Sequence, residues 1–327
     1  MKSNLNVVVI GGGTGLSVLL QGFKHKFNNI TAIVTVADDG GGSGVLREDL
    51  GMLPPGDIRS CILALSDTEP TMEKLLKYRF DEGRLKGQSF GNLFIAAMNG
   101  ISGDFQSAVK KISDILSVTG KVLPVSNEDV HLIAELENGK KIKGESNIPK
   151  KVIEMNSRIK KISYNKSNVS CIDEVSKSIK DADIIIIGPG SLFTSIMPSL
   201  IIKEVKDSLK ISSAEKILIT NLMTQEGETD QFSVKEHYES IIRHLGFDFF
   251  DTVLVNNGYI PDKVKRKYHE DNSEFVLPND KDIAFFKGKN VSLITDNFVE
   301  IVKGYVRHDS LKIADRLIDL VDTKLYK

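Results

Sequence analysis

Followed for the spacing of its apolar positions, the chain shows short, wholly apolar runs separated by longer segments with an apolar residue every three or four positions. Val7–Ile10 is apolar without a break, and Ile30–Val36, Asp183–Ile187 ("DIIII"), Lys216–Ile219 and Thr252–Val255 repeat the type. Such β-branched runs, with no polar alternation, predict strands buried on both faces, as in a parallel sheet. Between them, helical spacing predicts helices over Leu16–Phe23, Met72–Tyr78, Gly91–Met98, Phe105–Leu116, Ile196–Lys206 and Lys235–Leu245. In the tail, Leu311, Ala314, Leu317, Ile318 and Val321 fall on one helical face. Strand–helix alternation of this kind predicts an α/β fold, a Rossmann-like three-layer α/β/α architecture with a mostly parallel sheet. Lys121 to Tyr164 departs from it. There the text turns to short β-rich runs such as "LIAELENGKKIKG", with Asn138-Gly139 as a hairpin signal. The expected organisation is one Rossmann-like nucleotide-binding domain over residues 1–327 carrying an antiparallel, hairpin-rich insertion at 121–165.

Composition narrows the function classes. The 327 residues are 41% hydrophobic and 27% charged, with a formal net charge of -1. That balance argues against a general nucleic-acid binder. Cys61 and Cys171, far apart and without a CxxC partner, support neither a disulfide scaffold nor a structural zinc site. The apolar run near the N-terminus is too short for a signal sequence, and no segment reaches the roughly 20 apolar residues of a membrane span. The expectation is a cytoplasmic protein with no membrane span and no nucleic-acid partner.

The strongest chemical signal is "VVVIGGGTGLSVLL", which sets Gly11, Gly12, Gly13, Thr14 and Gly15 between a predicted strand and a predicted helix. Glycines this dense are costly unless the backbone must be bare or left-handed there. A strand, a glycine turn and a helix N-terminus together can cradle phosphate, by unpaired N–H groups and partial positive charge. The dinucleotide fingerprint GxGxxG is broken, since its third glycine falls on Leu16 or Val18, and no Walker A lysine follows. A tight packing turn is the competing explanation.

After the second strand comes "VTVADDGGGSGVLRED". Asp38 or Asp39 there could accept bonds from ribose hydroxyls, hold Mg²⁺ beside phosphate, or simply form a solvated turn. Arg47, beyond a second glycine loop at Gly40–Gly44, is a candidate anion ligand. In "LGMLPPGDIRSC", Asp57 is either a helix cap or a site residue. A second strand–glycine–helix junction, "DIIIIGPGSLFTSIMPSL", offers Gly188, Gly190, Ser191, Thr194 and Ser195. "NLMTQEGETD" adds Asn221, Thr224, Gln225 and Thr229 after another strand. In a parallel sheet all these loops gather at the carboxyl ends of the strands, where open α/β sheets bind ligands. None of the six histidines has metal-ligand spacing, and no GxSxG elbow or Cys–His pairing nominates a nucleophile.

Taken in order, "GGGTG", "DDGGGSGVLR", "PPGDIRSC", "GNL", "GPGSLFTSIMPSL", "NLMTQEGET" and "YVRHD" resemble the gluconeogenesis factors of the YvcK type. Their wider superfamily includes 2-phospho-L-lactate transferase of coenzyme F420 synthesis. The resemblance runs from Val7 to the C-terminal helix. It implies a bacterial protein that binds UDP-sugars, notably UDP-N-acetylglucosamine, and supports cell shape and cell-wall synthesis during gluconeogenic growth. It also implies site residues at Ser43 and Asn92 within the matching motifs, and at Tyr268 of "KYHED" and Arg307 of "YVRHD". Ser310 matches a threonine phosphorylated in some relatives, which implies a Ser/Thr kinase as partner; cell-wall synthesis proteins and a second copy in a homodimer are the other partners expected. Gly42 and Val45 replace a serine and an arginine of the family pattern, and Gln88 replaces a histidine. These changes remove a phosphate ligand and an acid–base group, and so weaken a transferase reading.

Two functions of different class result. In the first, a UDP-sugar or an NAD-like dinucleotide binds a regulator, a role that needs no cofactor and no catalytic group. In the second, Asp38 and Asp39 hold Mg²⁺ for a phospholactate-type transfer from a nucleotide diphosphate substrate.

Overall fold

The computed structural model describes residues 2–325. Its strands run along the chain as β1 (Ser3–Gly11), β2 (Phe27–Val34), β3 (Lys121–Pro124), β4 (Leu132–Leu136), β5 (Lys141–Lys143), β6 (Ile159–Tyr164), β7 (Ile184–Ile187), β8 (Glu215–Ile219), β9 (Thr252–Asn256), β10 (Ser292–Asp296), β11 (Val299–Val302) and β12 (Tyr305–His308). At the centre is a seven-stranded sheet in the order β10-β9-β8-β7-β1-β2-β3. Every neighbouring pair in it is parallel. Parallel strands need crossovers, and crossovers are right-handed, so helices flank the sheet. From β1 the chain winds one way to β2 and β3, then returns to β7 on the other side of β1 and winds outward to β10. This reversal opens a crevice at the carboxyl ends of β1 and β7.

Burial explains the apolar runs: Val7–Ile10 and Ile184–Ile187 are at most 2% exposed, covered from both faces. Strand β2 begins three residues before the predicted run and stops at Val34, so Thr35–Ala37 form the turn that delivers Asp38. Phe23 and Phe27 meet edge to face at 5.5 Å where helix α1 (Gly13–Lys26) ends and β2 begins.

The insertion is smaller than the sequence predicts, because Lys121–Pro124 pairs in parallel with β2 and closes the main sheet. Beyond it the chain builds a separate antiparallel sheet ordered β5-β4-β6. Asn138-Gly139 forms its expected hairpin turn, Gly139 taking φ of 82°. Between β5 and β6 lie a single 3₁₀ turn, Glu145–Asn147, and a helix, Ile148–Met155. The last element pair before the C-terminal helix is the β11–β12 hairpin, which stands outside both larger sheets.

Two predicted elements differ. Gly41–Gly44 is no loop but the first turn of helix α2 (Gly41–Leu50). Gly44 has to be bare there, since a Cβ would lie 2.3 Å from the Asp39 carbonyl oxygen. The helix predicted over Ile196–Lys206 is broken into a wide turn, Leu192–Ile196, a short helix, Met197–Leu200, and a third, Lys203–Ile211.

Candidate functional site

The two glycine junctions meet at the crevice. Helix α1 starts at Gly13 with no side-chain cap, so the N–H groups of its first turn are left to other partners. Gly13 takes φ of +66°, and only there in this loop does the backbone require left-handed freedom. Gly12 and Gly15 are needed for close approach instead. A Cβ on Gly15 would lie 2.9 Å from the Pro189 carbonyl oxygen and 3.1 Å from the Gly190 nitrogen. One on Gly12 would lie 2.6 Å from Asp57 Oδ2. The Gly188–Ser191 loop is pinned by Asn221, whose Oδ1 accepts from the Gly190 N–H at 3.1 Å while its amide donates to the Gly190 carbonyl at 2.9 Å. Gln225 Nε2 donates to Ser191 Oγ at 2.9 Å. The second loop is thus held against the first, with Gly190 bare where a Cβ would lie 3.1 Å from the Gly12 carbonyl oxygen.

Around this junction lies a cavity of about 380 Å³. Its walls include Gly12, Gly13, Thr14, Gly15, Gly190, Ser191, Ser195, Asn221, Thr224, Gln225, Tyr268 and Arg307, all expected from sequence, together with His308. Tyr268 comes from the helix Asp262–Glu270 and accepts from the Val306 N–H at 2.9 Å, tying that helix to β12. Among the described residues no carboxylate lies within ion-pair distance of Arg307; it donates to the Val306 carbonyl and leans on the Tyr305 ring at 5.5 Å. His308 is buried with its ring against the Thr220 carbonyl at 3.1 Å, and burial pushes its pKa down to about 4, so it is neutral at physiological pH. A larger hollow of about 810 Å³ opens at the opposite, amino end of the strands, beside Asn6, Asn28 and Lys121. It has no glycine turn entering a helix of the α1 kind, and Lys121 there is already paired with Glu174 at 2.7 Å.

The other flank of the crevice is acidic. Asp57 lies in the first turn of helix α3 (Gly56–Leu65) and, instead of capping it, faces the N–H of Gly13. Burial and the neighbouring Asp38 raise its pKa to about 6. Glu145, on the 3₁₀ turn of the insertion, is pushed up to about 8 by burial and then by Asp38, Glu228, Asp39 and Asp57. Glu228, raised to about 6 by burial, accepts from the Phe193 N–H at 3.0 Å and the Thr194 hydroxyl at 2.9 Å. Glu145 and Glu228 are residues that sequence reasoning missed; nothing in "KGESN" shows that the insertion folds back on this edge. A carboxyl held protonated near neutrality can donate a proton or a hydrogen bond to an anionic ligand.

Its ionisation also opposes folding. Because the folded pKa lies above the unfolded value of 4.5, the native state binds the proton more tightly. Stability attributable to Glu145 is complete at low pH and is lost as pH rises from 4.5 towards 8. Glu145→Gln is therefore expected to unfold at higher urea than the parent at pH 9, by about 2 kcal/mol. The full displacement would convert to roughly 5 kcal/mol, but partial solvent screening reduces it. At pH 5 the two should agree within about 0.5 kcal/mol. Equal differences at both pH values would show that the carboxyl is already ionised in the fold.

For Mg²⁺, the sequence-expected pair does not present itself jointly. Asp39 commits both oxygens, to the N–H groups of Glu145 at 3.0 Å and Ser146 at 2.9 Å, and so anchors the insertion. Asp38 Oδ1 accepts from the Gly40 N–H at 2.9 Å. Asp38 Oδ2 and Asp57 remain, a set that Mg²⁺ would complete only with phosphate and water oxygens. Among the described residues no three Asp, Glu, His or Cys side chains converge as a ready metal cage.

Comparison with known proteins places the chain in a family. The family model described as 2-phospho-L-lactate transferase CofD matches residues 7–299, which include the end of β1, both glycine junctions and Tyr268. The chain belongs to the CofD family. A gluconeogenesis factor of Bacillus subtilis is 46% identical over 98% of this chain and 99% of its own. A Thermoanaerobacterium thermosulfurigenes protein bearing that name provisionally is 54% identical, with 97% of each chain covered. Among solved structures, a UPF0052-family protein from Bacillus halodurans superposes with a TM-score of 0.91 at 42% identity, covering 96% of this chain and 99% of that one.

Within this CofD-family fold several expected ligand residues do structural work instead. Arg47 is buried and clamps the chain after β3: Nε donates to Asp129 at 2.8 Å, Nη2 to Asp129 and the Val130 carbonyl, and Nη1 to the Asp38 carbonyl. Four of its five N–H donors are engaged inside the fold and the side chain is buried, so in this structure Arg47 holds the chain after β3 rather than facing the cavity. Thr194 is buried against Glu228. Thr224 does both: it stays on the cavity wall while its Oγ1 accepts from the Glu274 N–H at 2.9 Å. Ser43, 5% exposed, packs against Gly56. Asn92 is buried on the helix Phe90–Ser102, near Ser89, whose hydroxyl accepts from both Arg59 and the Asn92 N–H. Gly11 and Gly188 lie behind the cavity, one at the end of β1 and the other just after β7. Ser310, half-buried at the start of the C-terminal helix, packs on Gly22 of α1, where a Cβ would lie 2.3 Å from its Oγ. Cys61 and Cys171 are free thiols, and no helix among the described residues is long and apolar enough to cross a membrane.

Proposed function

We propose that this CofD-family chain is a cytoplasmic nucleotide-sugar sensor that binds UDP-N-acetylglucosamine and serves cell shape and cell-wall synthesis during gluconeogenic growth. The single observation behind this reading is the shared hollow. The uncapped start of α1, the pinned Gly188–Ser191 loop, and Tyr268 with Arg307 all line one cavity of about 380 Å³. In this reading the diphosphate lies against the first-turn N–H groups of α1, where the helix end supplies donors and partial positive charge. Arg307 neutralises remaining charge, and the apolar patch of Leu222, Tyr268 and Val306 packs the base or sugar ring. The same pocket could accept an NAD-like dinucleotide, which shares the diphosphate. No resident cofactor is needed for sensing, and the name shared by the Bacillus subtilis relative is consistent with a metabolic role. Isothermal titration should give saturable, 1:1 binding of UDP-N-acetylglucosamine that weakens with added salt. Absence of heat and of any thermal shift at millimolar ligand would overturn the reading.

The acidic flank favours a second reading, a Mg²⁺-dependent transferase of the phospholactate type. Asp38 and Asp57 would hold the ion together with phosphate oxygens, and the protonated Glu145 would supply a proton. The ion would neutralise charge developing on the leaving phosphate. Release of nucleoside monophosphate that requires Mg²⁺, and is lost in Asp38→Asn, would establish it.

A further inference from the structure

The outer face of the β11–β12 hairpin, turned away from Tyr268, is a surface that the ligand reading does not use. The β11–β12 hairpin packs Val299 and Val306 inward onto Tyr268, and turns Ile301, Val302 and Tyr305 outward, each between 42% and 47% exposed. A lone two-stranded hairpin is marginal by itself, and this one leaves an apolar tip uncovered. Lys303 sits in the hairpin turn and Lys267 lies over Tyr305, and the helix Asp262–Glu270 that carries Lys267 also bears Lys263, Lys265 and Arg266. The acids of these same elements are Asp262, Glu270 and Glu300, and the ion pair seen there among the described residues is a loose contact of Lys265 with Asp262 at 3.9 Å. Lys267 Nζ instead sits 3.3 Å over the Tyr305 ring. So a chain of net charge -1 concentrates cations on this hairpin and helix, beside exposed aliphatic and aromatic side chains.

We propose that this hairpin and helix form a docking surface for a protein partner whose binding segment is acidic with aliphatic anchors. Charge complementarity sets the sign of the partner's rim, and Ile301 with Val302 sets its apolar centre. A single-stranded nucleic acid fits less well. It binds by stacking bases on open aromatic faces, and here Lys267 already covers a face of Tyr305. The inference stands independently of what fills the cavity.

The test is fluorescence anisotropy with the whole chain and a short labelled peptide in which Asp and Glu alternate with Leu and Ile. Comparators are an all-Glu peptide of equal charge, a uridine oligonucleotide, and anionic phosphatidylglycerol vesicles. Expected is saturable binding of the mixed peptide at roughly micromolar Kd. That binding should be lost at least about tenfold in Lys267→Glu/Lys303→Glu, and equally in Ile301→Ser/Val302→Ser, with helicity and melting temperature retained. Lys110→Glu, on a distant helix, should change nothing. No binding of the mixed peptide, equal binding of the all-Glu peptide, or tighter binding of the oligonucleotide or vesicles would overturn the proposal. UDP-N-acetylglucosamine titrated into the same variants reports the cavity separately, because Ile301, Val302 and Lys303 do not line it.

Discussion

Alanine at Gly15 is expected to weaken UDP-N-acetylglucosamine binding at least about thirtyfold and to cost about 2 kcal/mol of stability. The added Cβ would meet the Pro189 carbonyl oxygen at 2.9 Å, the Pro189 carbonyl carbon at 3.0 Å and the Gly190 nitrogen at 3.1 Å. All three are main-chain atoms, so no side-chain rotation relieves the contact and the two loops must separate. Overpacking of this kind typically costs 1–3 kcal/mol, and about 2 kcal/mol of lost preorganisation corresponds to about thirtyfold in Kd. Gly13→Ala separates steric crowding from backbone strain. Its Cβ would meet only Ser195 Oγ at 3.9 Å, while its φ of +66° penalises any side chain. The effect expected there is about 1 kcal/mol on stability. Urea unfolding with calorimetry on both variants checks the contrast, and a Gly15→Ala protein that binds normally would show that the two junctions do not need to touch.

The second large effect is expected at Arg307. Removing it by Arg307→Ala should weaken the nucleotide sugar by about tenfold to a hundredfold, since a charge-assisted hydrogen bond contributes about 1.5–3 kcal/mol. Folding should change by less than about 0.5 kcal/mol, because among the described residues the guanidinium's partners are its neighbour's carbonyl and the Tyr305 ring. Arg307→Lys should recover part of the affinity. A matching loss of stability and affinity would instead make Arg307 a support of the hairpin.

How far each element is legible in the sequence depends on its physics. The unbroken apolar runs at Val7–Ile10 and Asp183–Ile187 announce buried parallel strands, and the order of the chain then places their glycine turns on one edge. Strand β10 has half-exposed residues and β12 alternates exposed with buried positions, so neither shows as an apolar run. The second glycine stretch misleads because glycine marks close packing as readily as it marks a loop; only the Asp39 carbonyl behind Gly44 distinguishes the two. Arg47 misleads for a related reason, since a cation near a phosphate loop looks identical in sequence whether it is free or bound to Asp129, 82 residues away. Glu145 is invisible because its environment consists of Asp38, Asp57 and Glu228, brought together only when the insertion folds back. Tyr268 and Arg307 enter through likeness to a family rather than through spacing, and the fold does set both on the wall of the same cavity.

The most direct measurement is a crystal structure of the protein grown with UDP-N-acetylglucosamine. The diphosphate is predicted within hydrogen-bonding reach of the backbone N–H groups of Gly13, Thr14 and Gly15, with Arg307 turned onto it. A ligand seated beside Lys121 at the amino ends of the strands, or wholly within the Asp38–Glu145 flank with the start of α1 untouched, would contradict the account.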